Sequence, residues 1–165
     1  MEFTKKDFFF CVATGLLTGV IVWQVLLFLA GAEFYREYYG IRNVSWVVLI
    51  IPILWILGVN LGYFLGRWMA PFRQFGKFAA VGFTNFAVDL GILNLLIAST
   101  GVSSGSWYPI FKGISFFGAV MHSYFWNKMW VFESQSAGSN MQTFGKFISV
   151  AIASIVVNVG IASVV

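Results

Sequence analysis

Long apolar runs separated by short polar ones set the pattern of this chain. Five runs stand out: Phe8 to Ala32, Ser45 to Gly66, Phe78 to Ala98, Trp107 to Trp126 and Phe147 to Val165. The first, second and fifth carry no charge; the third carries Asp89, and the fourth carries Lys112 and His122. Each is close to the ~20 residues that an α-helix needs to cross a hydrocarbon core. They are too long and too evenly apolar for barrel strands, which alternate. The pattern predicts an all-α integral membrane protein with five transmembrane helices. Lys5 and Lys6 ahead of the first run, with "AGA" at Ala30 to Ala32, imitate a signal peptide. The run is longer than the roughly 7–15 residues of a signal core, so a retained helix is expected.

Composition narrows the class. The chain has 165 residues, 59% hydrophobic and 10% charged, too few charges to clothe a soluble domain of this size. Cys11 is the single cysteine and is read as a buried thiol, without a disulfide framework. His122 is the single histidine, so a histidine metal site has no second ligand. No phosphate-cradling glycine loop, nucleophile elbow or carboxylate pair is present, so neither an enzyme nor a cofactor is expected. The net charge of +4 is read as loop charge that orients the protein, not as a nucleic-acid footprint. Lys5, Lys6, Arg67, Arg73, Lys77, Lys128 and Lys146 fall on one side of the predicted spans, and Arg36 and Arg42 on the other. That imbalance predicts a cytoplasmic N-terminus, with loops 67–77 and 127–146 on the same side and loops 33–44 and 99–106 outside.

Residues 1–70 read as an N-terminal two-helix hairpin. Gly15 and Gly19 in the first run, and Gly58, Gly62 and Gly66 in the second, recur at intervals that let helix backbones approach closely. Pro52 is expected to kink the second helix and Pro71 to close the linker after it. Gln24 and Asn60 are expected to bond between helices. Downstream, "FGKFAAVGFTNFAVDLGI" (Phe75 to Ile92) and "FGKFISVAIASIVVNVGI" (Phe144 to Ile161) are identical at eight of eighteen positions. They read as a parallel internal repeat, 75–92 with 144–161. The repeated partner of the fourth helix would begin beyond residue 165, so either a last helix is lost or the chain is incomplete; the second is favoured.

The chemistry gathers in the second half. Gly82, Asn85 and Asp89 share one helix face, and the repeat places Ala151, Ser154 and Asn158 at the matching positions. Lys112, Ser115, Ala119 and His122 share a face of the fourth helix. A carboxylate near the bilayer midplane costs on the order of 3 kcal/mol. Asp89 must therefore be protonated, paired or solvated. Pairing with Lys112, or a neutral Asp89 bonded to Asn158, would hold the helices in register; a functional role for Asp89 and His122 stays open beside that. At the end of the fourth helix, Asn127 and Lys128 sit among Tyr124, Phe125, Trp126, Trp130 and Phe132. Aromatics at this level anchor a helix among headgroups. Lys77, Lys128 and Lys146 on the same predicted side would also suit a lipid phosphate, with the amide of Asn127 adding neutral donors.

Two stretches carry a family resemblance: "FGKFAAVGFTNFAVDLGILNLLI" (Phe75 to Ile97) and "YFWNKMWVFES" (Tyr124 to Ser134). They resemble the GtrA-like membrane proteins. In these a Phe-rich start is followed by Gly, Asn and Asp, here Phe75, Phe78, Gly82, Asn85 and Asp89. A second helix ends in Asn, a basic residue and Trp-Val-Phe, here Asn127, Lys128, Trp130, Val131 and Phe132. The resemblance covers Phe72 to Val165 and makes 71–165 a GtrA-like helical domain. Such domains usually have four helices, of which this chain offers three, and the glycine-laddered hairpin is an addition.

The resemblance implies cell-surface polysaccharide synthesis and translocation of a polyprenyl-phosphate-linked sugar beside a membrane glycosyltransferase, in a prokaryotic inner membrane. Lys77, Asn127, Lys128 and Lys146 would then engage phosphate. Asn85, Asp89 and Asn158 would let the sugar head slide past, with Lys112 and His122 as further candidate binding residues. Homo-oligomerisation through the hairpin stays open. Two other readings remain: a non-transporting scaffold for a glycosyltransferase, and a proton-coupled exporter of small cations, against which Lys112 argues by competing for Asp89.

Overall fold

The computed structural model describes residues 2–29 and 44–132. Among them the chain is helical throughout, without a strand: α1 (Lys5–Leu29), α2 (Val47–Leu65), α3 (Pro71–Thr100) and α4 (Trp107–Trp126), which runs on into a π-helical turn (Asn127–Val131). The fifth predicted span, the second copy of the repeat, Lys146 and Asn158 lie outside the described residues, as does most of the loop carrying Arg36 and Arg42.

Among the described residues, three helices are long and apolar enough to cross a membrane: Lys5–Phe28, Val47–Leu65 and Pro71–Thr100. α4 has the bounds expected from the sequence and a comparable length. Lys112 and His122 make it more polar, and it is not one of the three.

The starts of α1 and α3 have local causes, whereas Trp46 and Ser106, ahead of α2 and α4, make no side-chain cap. Thr4 caps α1: its N–H donates to Asp7 Oδ2 at 3.0 Å, and the Asp7 N–H donates to Thr4 Oγ1 at 3.1 Å. This is the reciprocal logic of a capping box, with Asp in the position usual for Glu. Pro71 opens α3 instead of closing the linker before it. A first-turn proline loses no helical hydrogen bond and brings a helical φ. Much of the predicted loop 67–77 is therefore the beginning of α3. α3 ends at Gly101, whose φ of 71° and N–H bond to the Ile97 carbonyl at 2.8 Å make a left-handed cap.

The chain divides into two compact units, residues 1–87 and 88–165, with α3 contributing to both. In the first unit, α1 and α2 pack through small residues. A Cβ on Gly15 would collide with Pro52 Cα, and one on Gly19 would stand 2.7 Å from Val48 Cα. The α2 ladder serves a different seam. A Cβ on Gly62 would meet the Phe72 carbonyl at 2.8 Å, and one on Gly76 the Gly58 carbonyl at 3.2 Å. Those glycines bring α2 against the start of α3. Between α1 and α3, Thr18 Oγ1 lies 2.9 Å from Thr84 Oγ1. The Thr84 hydroxyl also donates to the Ala80 carbonyl, as Thr14's does to Phe10. Buried hydroxyls are thus satisfied without water. Cys11 is a buried thiol, as expected. Asn60 is exposed and donates to Ile56 of its own helix, so the interhelical bond expected of it is not made; Gln24 is exposed as well.

Candidate functional site

In the second unit, small residues on α4 let α3 come close. A Cβ on Gly118 would stand 2.7 Å from Ile92 Cδ1, and Ser115 and Ala119 on the same side are buried. This approach positions a polar cluster. Lys112 Nζ donates to Asp89 Oδ2 at 2.5 Å, and Ser115 Oγ donates to Asp89 Oδ1 at 2.6 Å. The ion-pair side chains are only 16% and 14% exposed, for Lys112 and Asp89 respectively. Of the options the sequence left open for Asp89, pairing with Lys112 is realised. Both carboxylate oxygens hold a donor, so the charge in this apolar segment is compensated locally. The arrangement can hold the two helices in register.

His122 lies one turn beyond Ala119 and is half-buried beside Trp126, ring centroids 5.9 Å apart. Neither of its ring nitrogens has a hydrogen-bond partner among the described residues. Asn127 is buried; its Nδ2 donates to the Ser123 carbonyl at 2.8 Å and to Ser123 Oγ at 3.0 Å, while Oδ1 has no partner among the described residues. The Asn127 carbonyl accepts from Phe132 N at 2.9 Å, five residues on, which widens the chain into the π-turn. Lys128 in that turn is exposed, with Nζ 5.8 Å from the Tyr124 ring centroid. The aromatics around it divide. Phe125 and Phe132 are exposed, as an interfacial belt requires, but Trp130 is 1% exposed and packs inside the protein.

The first unit holds a second polar cluster, centred on Asp7, which sequence reasoning did not single out. Asp7 is 2% exposed and its Oδ1 is 2.6 Å from Lys77 Nζ. Oδ2 accepts from Thr4 N, from Thr4 Oγ1 at 2.9 Å and from the Tyr63 hydroxyl at 2.9 Å. Lys77 Nζ also lies 5.5 Å from the Tyr63 ring centroid. The lysine expected to engage phosphate is thus held by a buried carboxylate. The signal available was "TKKD" at Thr4 to Asp7, which reads as a helix cap and gives no hint of a lysine on another helix. Asn85, on α3 in the same unit, is half-buried with Oδ1 shielded and without a partner among the described residues. Gly82 is exposed, and none of the described residues lies within 4 Å of a Cβ placed on it. The buried polar residue on this part of α3 is instead Thr84. No group of three or more metal-ligating residues occurs among the described residues.

A family model described as GtrA/DPMS, transmembrane domain, matches residues 77–165, just over half of the chain. No curated protein and no solved structure matches.

Proposed function

The chain belongs to the GtrA/DPMS transmembrane-domain family, and from that premise we propose that it binds a polyprenyl-phosphate-linked sugar and helps to move it across the membrane. The observation that carries this reading is the compensated cluster of Asp89, Lys112 and Ser115 within the matched segment. A carboxylate is costly among apolar helices. One held by an ammonium and a hydroxyl gives a sugar's hydroxyl groups donors and acceptors to exchange with. Lys128, exposed over Tyr124, is the cation suited to the lipid's phosphate. Lys77 is committed to Asp7, so the phosphate role moves from it to Lys128, with Asn127 behind. The ring nitrogens of His122 and, in the first unit, Oδ1 of Asn85 have no partner among the described residues, and each is a group that a sugar hydroxyl could satisfy. Lys146 and Asn158 keep the roles that the repeat gave them.

The protein works without a cofactor or bond-making chemistry of its own, beside a membrane glycosyltransferase that makes the lipid-linked sugar. The charge imbalance supports a cytoplasmic N-terminus, and the setting that goes with the family resemblance is a prokaryotic inner membrane. The test is reconstitution into vesicles with a fluorescent polyprenyl-phosphate sugar. Wild type moves the lipid between leaflets and Asp89→Asn does not; equal transport by both would remove Asp89 from the mechanism.

A second reading has an observation in its favour. Asp89 and Asp7 are both fully engaged by internal donors, which suits a scaffold that anchors the glycosyltransferase without transporting anything. It predicts that Asp89 and Lys128 substitutions leave sugar transfer intact. The cation-exporter reading needs a vacant counter-ion on α3, and Lys112 occupies Asp89.

A further inference from the structure

The connection between α2 and α3 frames an open cavity of about 540 Å³ in the first unit, lined by Glu2, Phe3, Asn60, Tyr63, Phe64, Arg67 and Arg73. Its residues all precede the matched segment, residues 77–165, and Arg73 stands on the first turn of α3, the helix that runs into it. Two guanidinium groups line it. Arg67 lies over the Phe64 ring, its Cζ 5.5 Å from the centroid. A guanidinium held over a ring face keeps the donors at the edge of its own plane available. Arg73 is half-buried and presses on Gly66, where any Cβ would collide with its Cγ. Its Nε is shielded from solvent and has no hydrogen-bond partner among the described residues. A shielded guanidinium nitrogen without an acceptor is costly; Nε packs against Gly66, and the terminal nitrogens of Arg73 are the donors left for an acceptor in the cavity that this residue lines. The carboxylate that could have served, Asp7, is engaged by Lys77, Tyr63 and Thr4. Glu2 brings one carboxylate to the exposed rim. Trp68 and Met69, in the same connection, are 69% and 59% exposed, the exposure expected of side chains that meet lipid near a headgroup.

We infer that Arg67 and Arg73 form a second anion site, which takes a phosphate group through guanidinium donors at the α2–α3 connection. The inference does not depend on the carrier reading, because none of its residues takes part in that mechanism. Arginine matches phosphate oxygens with paired donors, and the neighbouring apolar side chains favour a phosphate carried on a lipid headgroup. Glu2 opposes the anion and weakens the site.

The test uses the full chain in nanodiscs, with bound lipid counted by native mass spectrometry and inorganic phosphate titrated separately by calorimetry. Wild type should retain phosphatidylglycerol over phosphatidylcholine. Arg67→Gln with Arg73→Gln should lower that retention roughly tenfold, as expected when two charge-assisted contacts are lost. Lys5→Gln, an exposed lysine outside the cavity, should leave it unchanged. Glu2→Gln should raise it roughly threefold at low salt, a gain that misfolding cannot produce. If inorganic phosphate binds with the same dependence on the arginines and displaces the lipid, the site stands and its ligand is the free anion. Retention unchanged in the double arginine variant, or unaffected by Glu2→Gln with no phosphate binding, would overturn it.

Discussion

Asp89 and Lys112 show how a single pair can decide what a helix is able to do. Each is tolerable in an apolar segment because of the other and of Ser115. Lys112→Met should destabilise the protein by about 3 kcal/mol, since it leaves a buried carboxylate without its cation. Adding Asp89→Asn should recover most of that loss; thermal unfolding in detergent reads both. If transport is what the cluster is for, the repaired double variant stays inactive although stable. The Asp7 cluster obeys the same rule. Tyr63→Phe removes one of its donors and should cost about 1.5 kcal/mol, with Asp7→Asn costing more because Lys77 then loses its counter-ion. The two clusters were unequally legible. Asp89 and Lys112 are the acid and the cation inside the predicted spans, so pairing was among the options from the start. Asp7 sits where a helix start ordinarily carries an acid, and pairing with Lys77 depends on how three helices meet, which no local pattern encodes.

At the scale of elements, spacing told which residues were small but not which neighbour they were small for. Gly15 and Gly19 face α2, whereas Gly62 and Gly76 bring α2 and α3 together. Gly15→Leu should cost about 3 kcal/mol or prevent α1 from packing, because the side chain would overlap the Pro52 backbone. Gly58→Ala, where none of the described residues lies within contact distance of an added Cβ, should be neutral or stabilising by up to about 1 kcal/mol. Equal effects of the two substitutions on unfolding temperature would show that the α1–α2 seam is not close-packed. The helix cores were readable from hydrophobic run length, and the bounds of α4 matched. The start of α3 differs from the expectation that Pro71 closes the linker after the second helix. Pro71 opens the helix, and the polar Arg73, Gln74 and Lys77 that looked like loop are its first turns.

At the scale of the molecule, a family transmembrane domain carries an N-terminal pair of helices that the family match does not include. The addition is not a passive anchor, since α1 supplies the carboxylate that holds Lys77, a residue inside the matched segment. The central claim is that the matched domain holds a polyprenyl-phosphate-linked sugar, with Lys128 at the phosphate. Native mass spectrometry of the protein, extracted gently from its own membranes beside Lys128→Ala, tests it most directly. The account predicts a co-purifying polyprenyl-phosphate sugar on wild type that is lost from the variant. Wild type and variant both without such a lipid, each carrying a glycosyltransferase, would contradict it and leave the scaffold in its place.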